Sequence, residues 1–145
     1  VRSAYRMISG TKHQREEWLE HRTGYSNLTQ EKKSWSLLWK TKVPSKVRVF
    51  VWRLSHMSLP IGSTRHQRKM ATTPACSICG AENDSWRHSL FDCRMARCVW
   101  VLGDEEIVEV MLSNRTDDAR LWLFWLFETL NQQDLAKVLI SMWAI

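Results

Sequence analysis

The sequence predicts a mostly α-helical protein, a small helical domain stapled by one bound metal ion, and three observations carry this prediction. Apolar residues recur at the spacing of helix faces in most segments after residue 30. Three cysteines and one histidine lie within residues 76–93 at a spacing that is typical of metal sites. The 145 residues, of which 44% are hydrophobic and 25% are charged, are enough for one globular core.

The metal-binding pattern is C-x2-C-x8-H-x4-C and contains Cys76, Cys79, His88 and Cys93. Two thiolates on a tight turn can hold a metal from one side, and a histidine and a cysteine on a following helical turn complete a tetrahedron. Four such ligands with no open position are typical of structural zinc rather than catalytic zinc. Gly80 supplies the backbone freedom that a knuckle turn needs. We therefore expect one structural Zn²⁺ in a CCHC zinc knuckle.

Two other interpretations of these cysteines remain open. Free cysteine is often buried, so the thiols can be part of a small apolar core. Disulfides are the second alternative, but they are typical of secreted proteins, and no apolar signal-peptide segment is visible at the N-terminus. Cys98 lies outside the pattern, and we expect it to be a spare thiol rather than a ligand.

Positive charge is concentrated in the first half of the chain. Residues 1–75 contain fifteen Lys and Arg against four Glu, a balance of +11. Residues 76–145 contain six Lys and Arg against eleven acidic residues, a balance of −5. This asymmetry predicts a polyanionic partner for the first half, and the alternative is a solvated basic face. No apolar run is long enough to cross a membrane, and we expect a cytoplasmic or nuclear location.

Residues 1–30 are predicted to form an N-terminal helix and a linker, and residues 31–145 a zinc-binding helical domain. Val1–Ile8 has apolar residues at helical spacing. Residues 9–30 are polar and are interrupted by Gly10, Gly24 and Asn27, so we expect mostly loop there. The chain opens without Met and ends on an apolar segment, which indicates a piece of a longer protein.

Three helices are predicted between residue 31 and the metal-binding segment. The first has Trp35, Leu38 and Trp39 on one face and ends at Pro44. The second runs from Lys46 to about His56 with Ser45 as its N-cap, although the alternation at residues 47–51 also permits a strand. Its expected core face consists of Val47, Phe50, Val51 and Leu54. The third is short and basic, is capped by Ser63 and runs through Lys69.

Four helical segments are predicted after the paired cysteines. Ser85 to Phe91 is expected to form a helical turn that directs His88 inward, and Arg94 to Leu102 continues as a helix. An acidic helix follows from Asp104 to Leu112. Asp117 or Asp118 is expected to cap the next helix, in which residues 121–127 are almost all apolar. The last helix is predicted at about Gln132 to Ala144.

The joint pattern resembles the reverse-transcriptase zinc-binding domain of plant LINE-type (non-LTR) retrotransposon polyproteins. The residues that carry the resemblance are Trp35, Leu38-Trp39-Lys40, Val43 to Arg53, Leu59-Pro60, Cys76, Cys79-Gly80, His88, Cys93, Ala96 and Trp100. By position, Cys76, Cys79, His88 and Cys93 match the ligands of that family. The resemblance implies a domain that helps the polymerase to hold template RNA or target DNA. A free-standing copy can also be a domesticated host gene.

No catalytic constellation is visible in the sequence, and we expect no enzymatic activity. The chain lacks a Tyr-x-Asp-Asp polymerase signature, a spaced set of carboxylates for two-metal catalysis and a glycine-rich phosphate loop. Asp104, Glu105 and Glu106 are adjacent and therefore point in different directions on a helix.

Two functions of different classes are consistent with the sequence. The first is binding of RNA or DNA through phosphate contacts, for which the candidate residues are Lys40, Lys42, Lys46, Arg48, Arg53, Arg65, Arg68 and Lys69. Tryptophans could stack on bases, but Trp35, Trp39, Trp52 and Trp100 are at spacing more typical of a core. The second function is a protein interaction that neutralises or redirects a partner, with Trp122 and Trp125 on the apolar helix as contacts.

Overall fold

The computed structural model describes the backbone of residues 25–145 and the side chains of residues 30–145. This part of the chain forms helices joined by turns and contains no β-strand, so the predicted helical fold class is confirmed. The helices are α1 (Tyr25–Lys40), α2 (Ser45–Ser55), α3 (Gly62–Gln67), α4 (Arg94–Val101), α5 (Glu105–Ser113), α6 (Ala119–Thr129) and α7 (Gln132–Ala144), with a π-helical turn at His88–Asp92. None of these helices is both long and apolar enough to cross a bilayer.

The chain divides into two compact units, Val1–Leu37 and Leu38–Ile145. In the first unit the structure describes the part of α1 up to residue 37, where the Ser34 hydroxyl donates a hydrogen bond to the carbonyl oxygen of Gln30. The predicted helix at residues 1–8 and the predicted loop as far as residue 24 lie outside the described residues. The separation of residues 1–30 from residues 31–145 stays a prediction.

Helix α1 begins inside the segment for which the sequence predicts a loop. Its first residue is Tyr25, and Asn27 lies within its first turn. A single asparagine costs a helix only a fraction of a kcal/mol relative to better helix formers. The sequence pattern predicted that Asn27 interrupts the chain, but the helix continues through this residue.

The core of the second unit forms where α2 packs against α6 and α7. Each helix contributes apolar side chains at helical spacing, as the hydrophobic periodicity predicts. The buried residues include Val47, Val51 and Leu54 of α2, Leu123 and Leu126 of α6, and Leu135, Val138, Leu139 and Met142 of α7. Phe50 was predicted in the core but is only half-buried, because it lies at the edge of the α2 face.

The two predicted serine caps in the first half of this unit are wrong. Helix α2 begins at Ser45 and its N-cap position is Pro44, so the serine lies one position too late to cap. Helix α3 begins at Gly62 and its N-cap position is Ile61, which likewise places Ser63 inside the helix. Neither Pro44 nor Ile61 caps its helix with a side-chain hydrogen bond.

In the second half, the cap predicted at Asp117 or Asp118 is found at Asp118, and two further caps were not predicted from the sequence. The carboxylate of Asp118 accepts hydrogen bonds from the backbone N–H groups of Arg120 and Leu121 at 2.8 and 3.1 Å. Asp104 caps α5 in the same way through Glu106, and Asn131 caps α7. These side chains satisfy backbone donors that a helix N-terminus leaves unpaired.

Candidate metal centre

Cys76, Cys79, His88 and Cys93 form one cluster in the folded chain. One donor atom from each residue lies within 4.8 Å of all the others. A tetrahedral zinc site with Zn–S bonds of about 2.3 Å places its donor atoms roughly 3.5–3.8 Å apart. The donor set is soft, contains three sulfurs and one imidazole nitrogen, and converges to within about 1 Å of that spacing. These residues therefore fit a Zn²⁺ ion.

The paired cysteines lie on a tight turn whose backbone is fixed by two hydrogen bonds. The N–H of Gly80 donates to the carbonyl oxygen of Cys76 at 2.9 Å, and the N–H of Cys76 donates to the carbonyl oxygen of Ala81 at 2.9 Å. Gly80 has a φ of 75°, a backbone conformation that residues other than glycine rarely adopt. This turn presents the sulfurs of Cys76 and Cys79 to the same point.

His88 and Cys93 are brought together by the π-helical turn between them. The N–H of Cys93 donates to the carbonyl oxygen of His88 at 2.8 Å, an i to i+5 bond. The Ser85 hydroxyl accepts a hydrogen bond from the N–H of His88 at 3.1 Å and fixes the start of the turn. As a result, Nε2 of His88 lies 3.2 Å from Sγ of Cys79. The sequence predicted a helical turn here, but not its wider π form.

The protein environment moves the pKa values of two thiols in opposite directions. The backbone N–H of Ala81 donates to the sulfur of Cys79 and is the main reason that the pKa of this thiol is lowered. Burial raises the pKa of Cys93, against a smaller lowering contribution from the backbone N–H of Met95. A bound cation favours thiolates at both positions, so metal binding must displace the proton that burial retains on Cys93.

Asp84 anchors the metal-binding segment and was not singled out from the sequence. Its side chain is buried and accepts hydrogen bonds from the N–H of Gly62 at 2.8 Å and from the hydroxyl of Ser89 at 2.5 Å. Its own N–H donates to the carbonyl oxygen of Pro74 at 2.9 Å. Asn83-Asp84-Ser85 has the composition of a helix start, which is a weak signal for such a role. The hydrogen bond to Gly62 could not be predicted from the local sequence, because the two residues are 22 positions apart.

An aromatic cluster joins the metal-binding segment to α4, α5 and α6. The Phe91 ring lies 5.8 Å from the Trp100 ring and 5.3 Å from the Trp122 ring, and Trp86 lies 5.6 Å from Trp122. Each indole N–H has a backbone acceptor, the carbonyl oxygens of Asp117, Leu90 and Met111 for Trp86, Trp100 and Trp122 respectively. Burying a tryptophan without such a partner would leave a polar group unsatisfied.

Cys98 lies on the exposed side of α4 and outside the donor cluster. Helix α4 instead directs Ala96 and Trp100 inward, as the periodicity predicts.

The predicted protein-contact residue Trp122 is a core residue. Its side chain is 0% exposed, so it cannot touch a partner of the folded domain, and the prediction is wrong for this residue. The sequence could not separate the two roles because residues 121–127 are apolar on nearly every side of the helix. Trp125 is half-buried, and its role stays a prediction.

Two tryptophans that were expected in the core are exposed. Trp39 is 48% exposed at the end of α1, and Trp52 is 41% exposed on α2. Trp35, Leu38 and Trp39 have i, i+3, i+4 spacing, but the buried face of α1 is narrower than this set of residues. Of the three, Leu38 alone is fully buried.

The eight predicted phosphate-binding residues are spread over the α1–α2 junction, α2, α3 and the residues directly after α3. Six are exposed: Lys40, Lys42, Lys46, Arg53, Arg68 and Lys69. Arg65 is half-buried on α3. Lys137 and Asp134 form an ion pair in the described part of the chain, and none of the eight predicted phosphate-binding residues takes part in it.

Arg48 has a structural partner that the sequence did not indicate. Its guanidinium group donates to the carbonyl oxygen of Trp39 at 2.8 Å and to the Ser45 hydroxyl at 3.1 Å. A cation at this position satisfies a carbonyl group near the end of α1. Arg48 thus binds the backbone of Trp39, inside the second unit, and is less available to a phosphate than its exposed neighbours.

Comparisons with known proteins agree with this picture. A family model described as zinc-binding in reverse transcriptase matches residues 1–100. A curated protein of Arabidopsis thaliana whose name refers to ribonuclease H is 31% identical over 64 residues. The match covers 44% of this chain and 10% of the relative, so the chain spans only a small part of that protein's length. No solved structure matches the chain significantly.

Proposed function

Because the chain belongs to the family of zinc-binding domains in reverse transcriptase, we propose that it is a non-catalytic accessory module that binds RNA or DNA. Zinc holds the loop 76–93 in shape, and basic side chains outside that loop contact phosphates. We place the protein in the cytoplasm or nucleus, where thiols stay reduced and nucleic acid is present.

The metal part of the proposal assigns Cys76, Cys79, His88 and Cys93 as the ligands of one structural zinc. Their convergence to within 4.8 Å supports it, as does the absence of an open coordination position in a set of four. When bound, the ion neutralises the thiolates and crosslinks two segments of the chain. Its role is to hold the fold, since structural zinc contributes folding free energy directly.

One observation carries the nucleic-acid part of the proposal. Residues 38–75 contain eight Lys and Arg and no Asp or Glu. A stretch of this length without a single carboxylate is a concentrated positive field, and the exposed position of six of these side chains makes it available to a polyanion. Phosphate contacts of this kind give affinity and salt dependence rather than sequence choice.

The test uses four exposed cations whose side chains have no hydrogen bond or aromatic contact in the described chain and do not line the open groove beside the metal centre. Lys40, Lys42, Arg68 and Lys69 are exposed, whereas Arg48 binds a backbone carbonyl oxygen and Lys46 contacts an aromatic ring. A variant with all four exchanged for Glu is compared with the parent chain on single-stranded RNA, single-stranded DNA and duplex DNA. We expect the slope of log affinity against log salt to fall by about 1 for each phosphate contact that is lost.

The control is Arg115→Glu, which shows the effect of a single charge reversal at an exposed cation in the acidic half. We expect this variant to bind as the parent does. Zinc content and far-ultraviolet circular dichroism establish that each variant is folded. If the folded, zinc-loaded parent binds none of the three nucleic acids at about 50 mM salt, the positive charge is a solvated surface and the proposal fails.

A further inference from the structure

An open groove of about 710 Å³ runs beside the metal centre. Its walls come from α2, from the loop that carries Cys76 and Cys79, from the start of α4 and from the end of α7. This volume falls in the range of binding sites rather than of packing defects.

The groove is lined by apolar side chains that remain open to solvent. Val49 of α2 is 43% exposed, Ile78 of the metal loop 59%, Met95 of α4 54% and Trp143 of α7 40%. Four separate segments of the chain thus present exposed apolar residues to one groove. Exposed apolar surface that is gathered in this way is typical of an interaction site.

The charged side chains along the groove are mainly positive. Lys46, Arg53 and Arg65 line it, and Asp84 is the one carboxylate side chain among the lining residues. Asp84 is buried and hydrogen-bonded to Gly62 and Ser89, so its charge is already compensated by fixed donors. Nε of Arg65 is shielded from solvent and has no hydrogen-bond partner in the described chain. The groove therefore offers three cations to an anionic ligand.

We propose that this groove binds an amphipathic helix of a partner protein, with apolar residues on one face and Asp or Glu beside them. The apolar face would lie against Val49, Ile78 and Met95, and the carboxylates would meet Lys46, Arg53 and Arg65. Helix-in-groove binding uses this combination of apolar anchors and flanking charge. Methionine side chains adapt to different apolar partners, which suits such a groove.

The lining favours a peptide over a nucleobase. Bases stack on open aromatic faces, but the ammonium group of Lys46 lies 3.9 Å from the centroid of the Trp143 ring and covers one face of it. The other exposed lining residues named above are aliphatic or thioether side chains. The inference goes beyond nucleic-acid binding and stands or falls separately, because Lys40, Lys42, Arg68 and Lys69 do not line the groove.

The probe is a synthetic helical peptide with Leu at i, i+3, i+4 and i+7 spacing and Glu at the flanking positions. A second peptide has the same Leu pattern with Lys in place of Glu. Binding to the zinc-loaded full chain is measured by fluorescence anisotropy. We expect the acidic peptide to bind and the basic peptide to bind at least tenfold more weakly, because the basic peptide would face like charges.

Variants then locate the binding site. Val49→Asp and Met95→Asp change exposed side chains on two separate helices, and Arg53→Glu reverses one of the three cations. We expect each to weaken binding of the acidic peptide by tenfold or more, with zinc content and helicity unchanged. Lys42→Glu and Arg115→Glu alter exposed cations that do not line the groove and should change the affinity less than twofold.

Three results would overturn the proposal. The first is the absence of binding by the acidic peptide, and the second is equal binding of the two peptides. The third is displacement of the acidic peptide by single-stranded RNA, together with a loss of direct RNA binding in Met95→Asp, which would make the groove a nucleic-acid site. Failure of nucleic-acid binding alone would leave the peptide result intact, because that activity is tested with variants outside the groove.

Discussion

The backbone N–H of Gly62 donates a hydrogen bond to Oδ2 of Asp84 at 2.8 Å, and this contact joins α3 to the metal-binding segment across 22 positions of sequence. The backbones approach so closely that a Cβ atom at position 62 would lie 2.7 Å from Cβ of Asp84. It would also lie 2.6 Å from the carbonyl oxygen of Pro74. A glycine is therefore required at this contact for reasons of space.

Gly62→Ala should destabilise the protein. The added methyl group meets backbone carbonyl oxygens, which cannot move aside as a flexible side chain would, and overpacking of this kind costs about 1–3 kcal/mol. Chemical denaturation of the zinc-loaded chain measures the effect. Ser63→Ala at the next position is the control and should change the free energy of unfolding by less than about 0.5 kcal/mol, since Ser63 is not the helix cap. Equal stability of the two variants would contradict the packing described for Gly62.

Asp84→Ala removes the acceptor for Gly62 and Ser89 and leaves two donors without a partner. We expect a loss of about 1–3 kcal/mol in the free energy of unfolding. We also expect faster zinc release to a chelator, because the anchored loop carries two of the cysteines. The control is Glu82→Ala in the same loop, whose side chain is exposed. Zinc release that is no faster in Asp84→Ala than in this control would show that the anchor does not support the metal site.

A substitution of any one of the four clustered residues, Cys76, Cys79, His88 or Cys93, should prevent the chain from retaining one zinc ion per molecule. His88→Ala and Cys93→Ser are expected to purify with little metal and to melt at least 10 °C lower, taking roughly 4 °C for each kcal/mol in a chain of this length. Elemental analysis and thermal melting provide the measurements. Cys98→Ser should keep one zinc per chain, and loss of zinc in this variant would show that the ligand set is wrong.

The two tryptophans of α6 should respond differently to truncation. Trp122 is fully buried and donates to the carbonyl oxygen of Met111, so Trp122→Ala should cost about 3–5 kcal/mol. Trp125 is half-buried, and Trp125→Ala should cost clearly less. Leu121→Ala, at a position that is 55% exposed, provides the baseline in the same helix. Similar urea midpoints for Trp122→Ala and Leu121→Ala would rule out a core role for Trp122.

Thiol alkylation should distinguish Cys79 from Cys93 after zinc removal. Because its pKa is lowered, Cys79 stays a thiolate when the pH falls below the ordinary thiol pKa of about 8.5. Because its pKa is raised, Cys93 stays protonated when the pH rises through that value. Between the two values, iodoacetamide should modify Cys79 first, as followed by mass spectrometry. Zinc should protect both, while the exposed Cys98 reacts with or without metal. Faster alkylation of Cys93 would reverse the assignment.

The same shifts give opposite pH dependences to the stability of the metal-free chain. The lowered pKa of Cys79 contributes stability above the unfolded-state pKa, and this contribution is lost as pH falls through the folded value. The raised pKa of Cys93 contributes stability below the unfolded-state pKa, and this contribution is lost as pH rises through the folded value.

The sequence predicted the parts of this structure that have a local cause. Hydrophobic periodicity gave the helical class and the position of α7, and cysteine spacing predicted which side chains cluster. An acidic residue before the apolar run at residues 121–127 predicted the cap that the structure shows at Asp118. In each case the residues that decide the outcome lie within one or two helical turns of each other.

The sequence could not indicate features that depend on distant parts of the chain. Asp84 acquires its role from Gly62, and Arg48 acquires its role from the carbonyl oxygen of Trp39. The burial of Trp122 and the exposure of Trp39 and Trp52 depend on which neighbouring elements cover them. Periodicity places such residues on a helix face but does not show which of two apolar faces is covered.

The π-helical turn imposes a length constraint on the chain between His88 and Cys93. In a regular α-helix, residues at i and i+5 lie about 140° apart around the axis, so the two side chains would diverge. The wider turn, with its bond from the Cys93 N–H to the His88 carbonyl oxygen, brings them to the same side. Deleting one residue between them would therefore remove a ligand without changing any ligand's identity.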